Sequence, residues 1–206
     1  MTKEHHVIFV PGLNDHRKGY ELLVARWLTY GIIPHVHRIG WHDEEIAFKN
    51  KLKSLVNAAN LLIDQENTVS LVGGSAGGSA VLNAFLEQPK ITAVVNLCGR
   101  LRAGENVFPS LELAAKKSSS FKESVLLFES REPTMKKEQR GRVLTLRPIW
   151  DEVVPRTTVS LQGATNQTLP SIEHMISGVL GITLFAPIII KFIKEQTDLK
   201  ELNQQK

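Results

Sequence analysis

The sequence predicts a three-layer α/β sandwich, in which a mostly parallel central sheet carries helices on both faces. Short runs rich in β-branched and aromatic residues alternate along the chain with segments whose apolar residues recur every three or four positions. This alternation is typical of parallel sheets with helical crossovers. A chain of 206 residues that is 42% hydrophobic is also long enough to bury one core. We therefore expect a single domain over residues 1–206.

The first half of the chain supplies two strands and two helices. Residues 6–10 (HVIFV) form an apolar run that ends at Pro11 and Gly12, as a buried parallel strand does. Apolar residues at helical spacing predict a helix over residues 20–30, and residues 33–39 read as the next strand. The most regular helical pattern covers residues 44–66, which contain no glycine or proline.

The alternation continues through the middle of the chain and returns near its end. Residues 68–72 predict a third strand, residues 79–87 a helix and residues 91–97 a fourth strand. Two further strands are predicted over residues 143–146 and 157–161. These six strands complete the predicted sheet.

Residues 100–140 have a less regular pattern. A helix near residues 111–117 and an apolar segment around residues 121–128 suggest helices that cover the functional site without forming an independent domain. Residues 175–193 are largely apolar and approach the length of a membrane span, but glycines, Thr183, Pro187 and Lys191 interrupt them. We expect a buried last helix that Pro187 kinks or starts, and interfacial membrane contact stays open as the alternative.

Charge and cysteine content narrow the function classes. The net charge of +4 comes from 25 basic and 21 acidic residues, and the basic residues are scattered. This distribution does not suggest nucleic acid as a partner. The one cysteine, Cys98, has no partner for an internal disulfide, and residues 1–6 lack the pattern of a secretory signal. We therefore expect a cytoplasmic protein.

The motif with the clearest chemistry is G-x-S-x-G at residues 73–77. It lies between a predicted strand and a predicted helix, where a sharp turn exposes a nucleophilic serine, here Ser75. Gly73 and Gly77 give the turn the space that it needs, and the backbone N–H of Ala76 at the helix start is a candidate oxyanion donor. Glycines that serve only a tight turn or a phosphate-binding loop are the alternative.

Residue order along the chain selects the partners of Ser75. A serine on this type of turn is followed first by its acid and then by its histidine. Six of the seven histidines precede Ser75, which leaves His174 as the base, and Asp151 is the only aspartate between them. The alternatives are a surface histidine near a helix start and an aspartate that caps a helix or pairs with Arg156.

The segments VIFVPGLND, LVGGSAGG, PIWDEVVP and SIEHMIS together resemble the α/β-hydrolase superfamily, and the resemblance spans the chain. It implies that the loop after the first strand supplies a second oxyanion N–H, which falls here on Leu13. The sequence departs from the family's common His-Gly pattern by having Pro11 before Gly12. The resemblance also implies an activity that needs neither a metal nor an organic cofactor.

Several loop residues are predicted at the same end of the sheet as Ser75. Asn14, Trp41 and Trp150 are candidates for substrate binding there, and ordinary loop packing is the alternative. Cys98 follows a predicted buried strand without an assigned histidine, so we interpret it as a small core residue.

These observations predict a serine hydrolase that cleaves an ester or thioester of a small or acyl-chain substrate through an acyl-enzyme on Ser75. Two alternatives remain at this point. One is a lipid-active esterase at a membrane surface, because of the apolar segment 175–193 and the basic residues Lys191, Lys194 and Lys200. The other is a non-catalytic binding protein on the same fold.

Overall fold

The computed structural model describes residues 4–16, 18–116 and 118–204. Within these residues a six-stranded sheet forms in which every pair of neighbouring strands is parallel. The strands lie in the order β2-β1-β3-β4-β5-β6. Their bounds are β1 His5–Val10, β2 Ile33–Val36, β3 Thr68–Gly74, β4 Val94–Leu97, β5 Val143–Trp150 and β6 Thr165–Ile172. The predicted fold class is confirmed.

Helices connect the strands and cover both faces of the sheet. In the described residues they are α1 Tyr20–Ala25, α2 Phe48–Ile63, α3 Gly77–Glu87, α4 Leu111–Ala114, α5 Ser119–Arg131, α6 Lys137–Gly141, α7 His174–Ile182 and α8 Ala186–Gln204. Buried residues of α2, α3 and α5 belong to one apolar core, and those of α1, α7 and α8 belong to a second core. The sheet therefore separates two helical layers.

Strand β1 shows how the sequence builds both cores at once. Successive side chains of a strand point to opposite faces. Val7 and Phe9 belong to the core beneath α1 and α8, whereas Ile8 and Val10 belong to the core beneath α2 and α3. A strand that is covered on both faces must be apolar at consecutive positions, which explains the uninterrupted apolar run in this segment.

The side of the sheet on which the chain adds successive strands changes after β2. Strand β2 lies on one side of β1, and the chain then crosses to β3 on the other side. The connections leaving β1 and β3 run to opposite faces, which leaves a crevice at the carboxyl ends of these two strands. The loop after Val10 and the turn after Gly74 meet there.

The last strand differs from the prediction. Residues 157–161 contain no strand, because Arg156–Thr158 forms a 3-10 helix. Val159 and Leu161, which follow it, are buried without belonging to a strand. The sixth strand is Thr165–Ile172, in which only Leu169 and Ser171 are buried. It lies at the edge of the sheet and exposes most of its side chains, so it lacks the apolar pattern of the central strands.

The apolar segment 175–193 forms parts of two helices instead of one. Helix α7 ends at Ile182, α8 begins at Ala186, and Pro187 lies in the first turn of α8, where a missing N–H costs no helical hydrogen bond. No single helix in the described part of the chain is long and apolar enough to cross a membrane; α7 and α8 reach that length and composition only as a pair bent by 55°.

Candidate active site

Ser75 occupies a strained turn between β3 and α3. Its φ angle is 51°, in the left-handed region that residues other than glycine rarely adopt. Close packing on both sides explains the flanking glycines: a Cβ on Gly73 would lie 2.3 Å from the carbonyl oxygen of Gly77, and a Cβ on Gly77 would lie 2.1 Å from that of Val10. The Ser75 N–H donates to the Leu97 carbonyl, which ties the turn to β4.

The structure brings Ser75, His174 and Asp151 together from three elements. The Oγ of Ser75 lies 2.8 Å from Nε2 of His174, and Nδ1 of His174 lies 2.9 Å from Oδ2 of Asp151. The His174 and Asp151 side chains are only 6% and 7% exposed. If Nδ1 carries the proton that Asp151 accepts, then Nε2 is free to accept the proton of Ser75.

Asp151 is fixed by its own backbone neighbours. Its Oδ1 accepts hydrogen bonds from the N–H groups of Val153 at 2.9 Å and Val154 at 2.8 Å. The same carboxylate therefore closes a tight loop with one oxygen and receives His174 with the other. An Asp at a turn that bonds the following N–H groups is a common local motif, and here it orients the second oxygen.

Two glutamates that are not among the predicted site residues hold the start of α7. The carboxylate of Glu152 accepts from the His174 N–H at 3.1 and 3.3 Å, and that of Glu173 accepts from the N–H groups of Met175 and Ile176. These backbone bonds lower the pKa of Glu173. Acidic residues just before an apolar helix are a signal for such caps, since they satisfy the free N–H groups of its first turn.

The two predicted oxyanion donors flank the serine. A Cβ on Gly12 would lie 2.8 Å from the Cβ of Ser75, so the loop after β1 passes directly against the nucleophile. Leu13 follows in that loop and Ala76 follows Ser75. Among the described residues, neither of these two backbone N–H groups has a hydrogen-bond acceptor. Unpaired N–H groups beside a nucleophile are available to an oxygen that gains negative charge.

Buried side chains fix the loop that carries Leu13. The indole N–H of Trp41 donates to the Pro11 carbonyl at 3.1 Å, and the buried Asp15 carboxylate accepts from the Gly40 N–H at 2.6 Å. Arg38 donates to the Asp15 carbonyl at 2.9 Å. The loop is therefore anchored to the segment after β2 by three hydrogen bonds.

A cavity of about 210 Å³ opens beside Ser75. One wall comes from β1 and the loop after it, a second from the turn after β3, and a third from helix α7. Apart from Ser75, His174, Asn14 and the glycines, the lining is largely apolar, and it includes Phe9, Leu13, Tyr20, Cys98, Val153, Met175, Val179 and Ile182. The cavity thus offers an apolar chamber next to the serine and histidine.

Two of the three residues predicted for substrate binding lie elsewhere. Asn14 lines the cavity, and its predicted role in substrate binding stays a prediction. Trp41 is fully buried and packs between Phe48 and Phe121, so it supports the loop and does not face the cavity. Trp150 ends β5 with 58% of its surface exposed and does not line the cavity.

Residues 100–140 do not cover this cavity in the part of the chain that the structure describes. Helix α5 packs instead on α2 and α3, where Ser124 is hydrogen-bonded to Ser79 and Asn83 of α3. The helical and apolar pattern of this segment predicts helices over the site. The buried apolar residues of α5 belong instead to the core beneath α3.

Cys98 lies closer to the site than predicted, but its thiol is unreactive. It lines the cavity and is buried, and its φ of 55° places it in a turn at the end of β4. Burial, together with the charge of Asp151, raises the pKa of its thiol. The thiol therefore stays protonated and is a poor nucleophile. No group of three or more His, Cys, Asp or Glu side chains suited to a metal ion is found among the described residues.

Comparison with known proteins gives structural neighbours but no match by sequence. Neither a family model nor a curated protein matches the chain. A carboxylesterase from the thaumarchaeon Nitrososphaera gargenis superposes with a TM-score of 0.66 at 11% identity, covering 95% of this chain and 92% of that one. A structure reported for the metagenome-derived lipolytic enzymes LipS and LipT has a TM-score of 0.64 at 14% sequence identity, with 94% of both chains covered. A monoacylglycerol lipase from Paleococcus ferrophilus has a TM-score of 0.60 at 15% identity, with 94% of this chain and 96% of that one covered.

Proposed function

Because the chain has the α/β-hydrolase fold, we propose that it is a serine hydrolase that cleaves an ester or thioester of a small or acyl-chain substrate. The observation that carries this proposal is the continuous chain of contacts from Ser75 through His174 to Asp151, at 2.8 and 2.9 Å. A fold of this kind hosts many chemistries, so the argument rests on the site itself.

The reaction proceeds in two halves. Nε2 of His174 takes the proton of Ser75 as Oγ bonds to the carbonyl carbon, and the N–H groups of Leu13 and Ala76 stabilise the negative charge on the carbonyl oxygen. The bond to the leaving oxygen or sulfur then breaks, and the leaving group takes the proton from His174. Water, activated by the same histidine, releases the acid and restores Ser75.

Asp151 supports both halves without reacting. Its Oδ2 accepts a hydrogen bond from Nδ1–H of His174, which selects the tautomer with a free Nε2 and stabilises the imidazolium when it forms. Both side chains are nearly excluded from water, so this interaction is stronger than it would be on the surface. The bonds from Val153 and Val154 keep the carboxylate in place.

Labelling with a fluorophosphonate tests the proposal, since the reagent traps an activated serine as a tetrahedral analogue. We expect an adduct on Ser75 in peptide mass spectrometry, and its loss in His174→Ala. The retained fold of the variant is checked by circular dichroism. A folded wild-type protein without an adduct would contradict the proposal and favour the non-catalytic binding protein.

A second candidate is action at a lipid surface, which the exposed apolar residues around α7 favour. Six large apolar side chains on or next to α7 and at the ends of β5 and β6 are each 44% to 64% exposed: Trp150, Ile172, Met175, Ile176, Val179 and Leu184. Two of them, Met175 and Val179, line the cavity. Trp150 and Ile172 are neighbours in the register of β5 and β6. Clustered exposed apolar residues of this kind mark interaction sites.

Sedimentation with phosphatidylcholine and phosphatidylglycerol vesicles tests this second candidate. Binding that is weakened in Ile176→Ser with Leu184→Ser would support it. Leu199→Ser is the matched control, because Leu199 is 52% exposed on α8 close to Lys200, which bonds the chain just before β4 at the opposite end of the sheet. Absence of sedimentation in the wild-type protein would remove the candidate.

A further inference from the structure

Helix α7 contains two glycines with opposite surroundings. A Cβ on Gly181 would lie 2.6 Å from a methyl carbon of Leu97, so the helix needs this glycine to approach β4 closely. A Cβ on Gly178 would meet no atom within 4 Å. Packing against the protein therefore explains Gly181 and does not explain Gly178.

The backbone does not require a glycine at position 178 either. Its φ is not positive, and α7 continues to Ile182, so Gly178 is neither a turn residue nor a helix cap. A glycine inside a helix costs about 0.5–1 kcal/mol relative to alanine. The missing side chain leaves open space, and Gly178 lines the cavity beside Ser75.

The lining of this cavity suits a hydrocarbon. Phe9, Tyr20, Val179 and Ile182 face it, and none of them offers a charge. The cavity of about 210 Å³ is smaller than the roughly 300–1,000 Å³ of pockets that enclose drug-sized ligands, so it suits a short or medium unbranched chain better than a long one. A charged or sugar-like group would lose its hydrogen bonds on entering this apolar lining.

We propose that this cavity binds the acyl chain of the substrate and that Gly178 sets the length of the chain that fits, an inference that rests on the proposed hydrolase function. The acyl group stays bonded to Ser75 from the first half of the reaction into the second, so an apolar cavity directly beside the serine suits it. The leaving group departs after the first half and needs no such cavity. The preferred substrates are medium-chain acyl esters or thioesters.

A chain-length series tests the proposal. We expect kcat/KM for p-nitrophenyl esters to rise from acetate to octanoate and to fall at hexadecanoate. Gly178→Leu adds a side chain at a cavity-lining position where a Cβ meets no neighbouring atom within 4 Å, so we expect its octanoate-to-acetate ratio of kcat/KM to fall at least tenfold relative to the wild-type protein. Gly141→Ala is the control, since that position at the end of α6 is also open but lies outside the cavity; its ratio stays unchanged.

Two further measurements separate the acyl pocket from the hydrolase function. Octyl acetate carries the same chain on the alcohol side, and a preference for it over p-nitrophenyl octanoate would overturn the assignment of the cavity to the acyl group. An unchanged chain-length profile in Gly178→Leu would overturn the role of Gly178, while fluorophosphonate labelling at Ser75 would leave the hydrolase intact. Calorimetric binding of octanoate to the wild-type protein and not to Gly178→Leu, without any label on Ser75, would support the pocket and refute the hydrolase.

Discussion

At the residue scale, the orientation of one imidazole decides the chemistry of the site. The imidazole of His174 is hydrogen-bonded on each side: Nε2 accepts from the Ser75 hydroxyl, and Nδ1–H donates to the Asp151 carboxylate. The Glu152 carboxylate accepts from the backbone N–H of His174. The position and tautomer of the ring are therefore set by three separate partners. Only the contact with Asp151 involves the proton that must stay on Nδ1.

Replacing Asp151 by Asn should abolish most activity while leaving the fold intact. The amide NH₂ group is a donor and cannot accept from Nδ1–H, so it would stabilise the tautomer of His174 that carries its proton on Nε2. A loss in kcat of about 10⁴-fold is typical of this change. Steady-state hydrolysis of p-nitrophenyl acetate measures the loss, and thermal unfolding checks the fold. Glu152→Gln is the comparison, since an amide oxygen still accepts from the His174 N–H, and its kcat should fall less than tenfold.

The three side chains that meet at the candidate site were easier to predict than the residues that hold them in place. Motif and order select Ser75, Asp151 and His174 because each is the only residue of its kind in the required place; the structure brings them together, and their catalytic role stays a proposal. Trp41 was misassigned because a tryptophan in a loop near the site looks the same in sequence whether it faces substrate or core. Its bond to the Pro11 carbonyl depends on a contact across 30 positions of the chain, which local patterns do not encode.

At the scale of elements, the first strand is tied to its neighbours by a titratable side chain. Nε2 of His5 lies 3.0 Å from the hydroxyl oxygen of Ser70 on β3, and Nδ1 lies 3.3 Å from that of Thr197 on α8. Burial, with the nearby charges of His6, Lys194 and Lys200, lowers the pKa of His5 to about 4. The folded protein therefore holds this histidine neutral at pH values where an unfolded chain would protonate it.

Stability should fall as the pH drops from about 6.5 to 4. Because His5 binds a proton more weakly in the folded state, the unfolded state gains the advantage in this interval, and the loss levels off below about pH 4. His5 accounts for up to about 3 kcal/mol of this loss in the free energy of unfolding. Urea denaturation at pH 7 and pH 4 measures the change, which should be smaller in His5→Gln. His35 and His37, whose pKa values are also lowered by burial, contribute equally to both proteins. An identical pH dependence in the variant would contradict this role for His5.

The elements that sequence patterns predict well are those buried on both sides or regularly amphipathic. Strands β1, β3 and β4 and helices α2 and α3 fall in this class, and their predicted positions agree with the structure apart from their ends. Strand β6 was missed because its segment TNQTLPSI buries only Leu169 and Ser171. Pairing with β5 makes it a strand, and that pairing is a tertiary contact which no local pattern reveals.

At the scale of the whole molecule, the sheet divides the apolar interior into two cores. Ile8 belongs to one core and Ile189 to the other, and both are almost completely buried. Each core has its own helices, and the backbone of the sheet lies between them. Substitutions in different cores therefore change different sets of side-chain contacts.

The losses in the free energy of unfolding that are caused by one substitution in each core should be additive. Ile8→Val and Ile189→Val each remove one buried methyl group, for which about 0.5–1.5 kcal/mol is typical. We expect the double variant to lose the sum of the two within about 0.5 kcal/mol, because the residues share no partners. Urea denaturation of the four proteins measures this. A coupling above about 1 kcal/mol would mean that the sheet transmits strain from one core to the other.

The order of the three site residues along the chain bears on when the proposed triad can form during synthesis by the ribosome. Ser75 is made 99 positions before His174, and β6, the last strand along the chain, lies at the edge of the sheet directly before the histidine. The glycine-lined turn of Ser75 is therefore complete in sequence well before its proposed base has been made. On the proposed mechanism, Ser75 gains its general base only after β6 and the start of α7 have been added to the chain.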